Sequence, residues 1–161
     1  MGSYREIDGN LITLAKQGEF DVIVHGCNCF CIQGAGIAAS MSKEFDTDNP
    51  NIFPLEAFSE KGDVNKLGQI QWARVVLQES ESPKTEFLDV VNAYTQYRPG
   101  ADARVPAVSL AMTKINEVFK GKRIGLPLIG CGIGGLQWNL VKTIFQRKLP
   151  DCDVTVVHFK P

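Results

Sequence analysis

Short apolar runs alternate along the chain with stretches in which apolar residues return every three or four positions, the pattern of strands alternating with helices. Residues 4–7 read as a first strand. Asn10 then caps a helix through Lys16, which Gly18 ends. Phe20-Asp21-Val22-Ile23-Val24 is a buried strand, and beyond it Ile37, Met41 and Phe45 fall four apart on one helical face. Residues 46–54 are loop-like, and residues 54–61 read as another short helix.

The second half continues the alternation. Residues 68–77 and 87–93 are two strands joined by the polar connection 79–86, a hairpin. The plainest helix spans 106–119, where Val108, Ala111, Met112, Ile115, Val118 and Phe119 make one stripe and Gly121 lies past the end. Residues 124–129 form a central strand. The last helix spans 136–149 with Leu140, Val141, Ile144 and Phe145 inward, Pro150 stops it, and residues 154–159 close the chain as a strand. Such alternation predicts a single α/β domain, a three-layer α/β/α sandwich around a mixed, mostly parallel sheet, with its ligand beyond the carboxyl ends of the strands.

Two glycine-rich turns punctuate this pattern, Gly34-Ala35-Gly36-Ile37-Ala38 and Gly130-Cys131-Gly132-Ile133-Gly134-Gly135, each after an apolar run and each opening a helix. Glycines let backbone N–H groups approach a ligand closely, and a helix N-terminus adds a partial positive charge worth roughly 0.3–1 kcal/mol toward an anion. One such turn is a weak sign of phosphate binding. Two in one chain point to a diphosphate held from both sides. The second turn formally matches G-x-G-x-x-G at Gly130, Gly132 and Gly135, with Asp151 and Asp153 downstream. In a dinucleotide-binding fold, however, the ribose-binding acid follows the next strand, whereas here it precedes the final one. The absence of G-x-x-x-x-G-K-[ST] excludes a P-loop nucleotidase.

Composition narrows the partners. The 161 residues carry 17 Lys and Arg against 18 Asp and Glu, so no broad basic face announces duplex nucleic acid or an anionic membrane, and any anion must be held locally. No apolar stretch approaches the roughly 20 residues that cross a bilayer, and no signal-peptide pattern is present; the expectation is a soluble, cytoplasmic protein. Five cysteines, three of them in Cys27-Asn28-Cys29-Phe30-Cys31, agree with a reducing compartment. With His25 they form a His-x-Cys-x-Cys-x-Cys run. Structural zinc wants cysteine pairs about two to four residues apart and a second pair from elsewhere, where only Cys131 and Cys152 remain, so the reading is buried thiols and no metal.

Val24-His25-Gly26-Cys27-Asn28, five further residues and then Gly34-Ala35-Gly36-Ile37-Ala38 resembles the macro-domain signature, in which a strand ends in Asn-Ala-Ala-Asn and a Gly-Gly-Gly-Val-Ala loop opens a helix. Pro127-Leu128-Ile129-Gly130-Cys131-Gly132-Ile133 followed by Leu136-Gln137-Trp138 is similar to the second phosphate loop of the terminal ADP-ribose glycohydrolase branch. The resemblance covers essentially the whole chain and implies an ADP-ribose cleft. Asn28 would meet the distal ribose, the two glycine turns the diphosphate, Asn10 and Leu11 the adenine, and Phe159 the adenine face. Simpler readings stand beside these: Asn10 as a helix cap alone, Asn28 as a turn former, Phe159 as ordinary packing.

Departures from the signature matter too. Many macro domains carry Asp where Asn10 stands, so a neutral acceptor replaces a charge-assisted one. The glycohydrolase branch has an Asp at the position of Gly134 and a nucleophilic Lys on the strand before the long helix, which here reads Val90-Val91-Asn92-Ala93-Tyr94-Thr95. Its covalent mechanism is not expected. His25, in the first Asn position, is the remaining chemical candidate. Its surroundings resemble a branch that removes the terminal phosphate from ADP-ribose 1″-phosphate, where a His near its unperturbed pKa deprotonates an attacking water. The alternative is a histidine hydrogen-bonded under the loop, and His158, alternating with valines, reads as structural. The resemblance thus implies a metal-independent and cofactor-independent phosphatase acting on ADP-ribose 1″-phosphate through His25 and Asn28. Its rivals are a hydrolase that frees ADP-ribose from modified protein or nucleic acid, and a non-catalytic ADP-ribose reader.

Overall fold

The computed structural model describes residues 2–49, 52–53, 60–77 and 86–160. In chain order it places β1 (Ser3–Gly9), α1 (Leu11–Lys16), β2 (Val22–Asn28), α2 (Gly36–Phe45), a 3-10 turn (Val64–Lys66), β3 (Ile70–Val76), β4 (Phe87–Gln96), α3 (Val105–Val118), β5 (Arg123–Leu126), α4 (Trp138–Lys148) and β6 (Asp153–Phe159). The strands form one sheet in the order β1-β6-β5-β2-β4-β3. All neighbouring pairs are parallel except β3 with β4, which run antiparallel as the hairpin pattern predicts.

Position in the sheet explains the strand sequences. β2 and β4 are interior and covered on both faces, so they read as unbroken buried runs, while edge strands β1 and β3 alternate. On one face α3 and α4 bring Val108, Met112, Val141 and Phe145 onto Val22, Val24, Ile124 and Val154. On the other, Leu11 and Ala15 of α1 and Met41 of α2 cover Ile23, Val90 and Val157. This is the expected three-layer sandwich.

Several boundaries differ from the sequence reading. Val118 and Leu140 are 46% and 47% exposed. Each sits one residue away from a tighter stripe, Ile115 with Phe119 in one case and Val141 with Ile144 and Phe145 in the other, and a step of about 100° turns it outward. The central strand β5 stops at Leu126 because Pro127 has no N–H to give the ladder. The first glycine turn runs directly into α2, but Leu136 and Gln137 separate the second from α4. Of the short helix expected over 54–61, residues 54–59 lie outside the described residues, as do 79–85 of the hairpin connection, and Glu60 and Lys61 are not helical. No helix among the described residues is long and apolar enough to cross a membrane.

The parallel strands place their carboxyl ends, Gly9, Asn28, Gln96, Leu126 and Phe159, on one edge of the sheet. Both glycine turns leave from that edge.

Candidate functional site

β2 and β4 run in register up to Cys27 opposite Tyr94, but the next pair is Asn28 with Gln96. Thr95 is therefore the extra residue of a bulge, a device that ends pairing and re-aims a side chain. Just beyond it, Asn28 folds the chain back on itself. Its Oδ1 accepts from the N–H groups of Phe30 (3.1 Å) and Ile32 (3.2 Å), and its Nδ2 donates to the Ile32 carbonyl (2.8 Å). Cys31 takes φ +59 inside that turn. Phe30 packs edge-on against Tyr97 with ring centroids 5.1 Å apart, and the Tyr97 hydroxyl donates to the Gly62 carbonyl at 2.8 Å.

From this anchor the chain passes through Gln33 and Gly34 into α2. Its N-cap, Ala35, has no side chain to take up the helix's first amides, so those of Gly36, Ile37 and Ala38 stay without intrahelical partners. Gly36 has φ +59, a conformation that favours glycine. In the second loop, the amides of Ile129, Cys131, Gly135 and Leu136 donate to carbonyls of Pro127, Leu128, Gly132 and Gly130. Those of Gly132, Ile133 and Gly134 donate in none of these bonds. A Cβ on Gly134 would stand 2.7 Å from the Gly130 oxygen and 2.9 Å from Ala103 Cβ, so only glycine lets the loop close this tightly.

The two loops enclose one cavity of about 350 Å³ whose floor is Gly26, Thr95 and Ile129 and whose walls include Asn28, residues 34–38, and Gly130, Gly132, Ile133 and Gly134. Cys27, Ile32, Gln96, Pro99, Gly100, Pro127 and Leu128 complete the lining. No Lys, Arg, His, Asp or Glu is among these lining residues.

His25 is elsewhere. It is fully buried on the α2 side of the sheet, with Nε2 2.6 Å from Asn92 Oδ1. Asn92 Nδ2 donates to the Thr47 carbonyl (2.9 Å) and to Gln71 Oε1 (3.3 Å), which fixes Oδ1 as the acceptor and places the imidazole proton on Nε2. Burial pulls the His25 pKa down to about 4, only partly offset by the Asn92 bond, so the ring is neutral. Cys27 Sγ lies 3.5 Å from Nε2, and burial pushes this thiol far above its ordinary range. Gln33 ties the first glycine loop to the same cluster, its Nε2 donating to the Thr47 carbonyl at 3.1 Å. Lys66 is also fully buried, its Nζ 4.7 Å from the Tyr94 ring centroid and without a hydrogen-bond partner among the described residues.

The structure thus brings together Asn28, residues 34–38, Gly130, Gly132, Ile133 and Gly134. It places other expected site residues off the cavity lining. Cys131 packs against the core with its Sγ toward the Ile129 carbonyl, and Gly135 turns at φ +85 beside Ala101. Asn10 caps α1, its Oδ1 accepting from Thr13 N–H at 3.1 Å, and Leu11 is core. Phe159 is 68% exposed at the end of β6. Gly26, Thr95 and Gln96 escaped the sequence reading as site residues: Gly26 lies inside the signature but was given no role, and Thr95 and Gln96 end a buried strand with no motif around them. The Tyr97-Arg98-Pro99-Gly100 stretch did carry a turn signal that could have marked the fourth wall. Among the described residues, no group of three or more His, Cys, Asp and Glu is placed to hold a metal.

No family model matches the chain. It is 30% identical over 160 residues, 96% of each chain, to the uncharacterized 17.5 kDa protein in the tk-vs intergenic region of Enterobacteria phage T4. Its fold is similar to the macrodomain of Thermus aquaticus DarG, with a TM-score of 0.64 at 20% identity over 100% of both chains. A Trypanosoma brucei macrodomain solved in complex with ADP-ribose matches with a TM-score of 0.58 at 11% identity, over 97% of this chain and 63% of that one. The chain belongs to the family of the bacteriophage T4 protein, and its fold is that of the macrodomains.

Proposed function

We propose that the chain binds ADP-ribose in the cavity between the glycine loops. The observation that carries this reading is the pair of amide rows, Gly36 to Ala38 on one side and Gly132 to Gly134 on the other, lining a single cavity with no charged side chain among its described lining residues. Such an array suits a diphosphate, whose charge is met by oriented N–H dipoles and a helix N-terminus. The distal ribose lies over the floor beside Asn28. The adenine extends beyond the cavity toward the Asn10 cap and the exposed ring of Phe159, where stacking covers an otherwise solvated aromatic. A macrodomain of the same fold solved with ADP-ribose supports the assignment. Parallel calorimetric titrations with ADP-ribose, ADP and NMN test it. ADP-ribose and ADP bind and NMN does not; no heat with ADP-ribose overturns the reading.

Recognition without turnover is the reading we favour for the chemistry, because His25, the histidine within the signature, is neutral and sealed from the cavity. The second reading is release of the terminal phosphate from ADP-ribose 1″-phosphate. What supports it is the same amide array, which would stabilise charge developing on the phosphoryl oxygens as water attacks phosphorus. Free phosphate, measured with and without chelator, separates the two. Release of ADP-ribose from a modified protein or nucleic acid would instead yield the unmodified macromolecule.

A further inference from the structure

Thr95 is 1% exposed, and its Oγ1 is one of two buried side-chain polar atoms among the described residues that lack a hydrogen-bond partner. The other, Lys66 Nζ, belongs to a residue off the cavity lining, whereas Thr95 lines the cavity floor. The bulge between β2 and β4 puts it there, opposite no residue of β2. Gly26 makes room for it. A Cβ on Gly26 would stand 2.7 Å from Thr95 Oγ1 and 3.1 Å from Ile129 Cγ2, so any side chain at position 26 would displace the hydroxyl.

The other polar side chains of the lining are already engaged. Asn28 is bonded to its own loop at both ends, and Gln96 Nε2 donates to the carbonyls of Arg98 (2.7 Å) and Gly100 (3.0 Å). A buried hydroxyl left without a partner carries its full desolvation penalty, which a ligand hydroxyl can relieve. A staggered turn about χ1 carries the Thr95 hydroxyl to the position that the methyl or the Cβ hydrogen holds here. Gly26, Thr95 and Ile129 line the same cavity as Asn28 and the two loops.

Resting on the ADP-ribose reading, we infer that Thr95 Oγ1 is a specificity-determining ligand contact, hydrogen-bonded to a hydroxyl of the distal ribose. The test is calorimetry with ADP-ribose and ADP on the wild type, Thr95→Val and Thr95→Ser, together with thermal melting. Thr95→Val, which swaps the hydroxyl for a methyl, weakens ADP-ribose about three- to tenfold, leaves ADP unchanged and does not lower the melting temperature, and Thr95→Ser retains affinity. Unchanged ADP-ribose affinity in Thr95→Val, with the wild type binding, overturns the contact. Equal losses for both ligands overturn its assignment to the distal ribose. A marked fall in melting temperature in both Thr95→Val and Thr95→Ala shows that the hydroxyl has a partner in the ligand-free fold, and overturns the inference too. A wild type that binds no ADP-ribose removes the underlying reading instead.

Discussion

His25 Nε2 stands 2.6 Å from Asn92 Oδ1, joining β2 to β4 beneath the first glycine loop. The bond belongs to a buried polar cluster that reaches Gln33 through Thr47, so the position of that loop is coupled to the protonation of a core histidine. Its pKa is lowered from 6.5 to about 4 by burial. Below pH 6.5 the unfolded chain takes up a proton that the folded one refuses, so this contribution to stability is fully present above about pH 6.5 and is lost as pH falls toward 4. The loss amounts to about 3 kcal/mol. Denaturant unfolding at pH 7 and 4.5 should show a steeper decline in the wild type than in His25→Gln. Equal declines would assign the proton to another group.

Gly132 offers a clean way to fill the cavity. A Cβ there meets nothing within 4 Å, whereas Gly36 has φ +59 and a substitution would strain the backbone. Gly132→Val should therefore weaken ADP-ribose by more than about tenfold while the melting temperature moves by less than about 2 °C. A folded variant with wild-type affinity would show that the ligand does not pass between the loops.

Asn28→Ala should behave as a loop variant. Three hydrogen bonds within residues 28–32 depend on its amide, so stability falls by about 1–3 kcal/mol. ADP and ADP-ribose weaken together, because the first loop loses its shape for both. Selective loss of ADP-ribose in titrations would instead make Asn28 a reader of the sugar.

Lys66→Met should stabilise the protein. The Lys66 ammonium is buried over the face of Tyr94 with no hydrogen-bond partner among the described residues, and desolvation lowers its pKa more than the neighbouring Asp63 and cysteines raise it. A methionine of similar length removes that penalty and keeps the packing, raising the melting temperature by about 2–4 °C. A lower melting temperature would mean that the cation–π contact outweighs the burial cost.

Much of this architecture is legible in the sequence, and the exceptions have physical causes. Unbroken apolar runs reveal β2 and β4 because interior parallel strands are covered on both faces. Glycine spacing reveals both loops, since backbone approach to a ligand requires it. Burial of His25 is not legible, because a histidine on a strand looks alike whichever face it takes, and the Asn92 amide and Thr47 carbonyl that close over this one come from distant parts of the chain. Thr95 is invisible for a different reason: a bulge is a mismatch between two strands, and neither strand records it alone.

The absence of Lys, Arg, His, Asp and Glu from the lining residues bears on how the protein works among the other anions of its surroundings. A cationic site attracts every polyphosphate and nucleic acid nearby and weakens steeply as salt screens it. Here the donors are dipoles fixed to the main chain, whose fields die away within the cavity mouth. Discrimination then rests on fit at close range, and occupancy should follow the concentration of the matching ligand, with little regard for ionic strength.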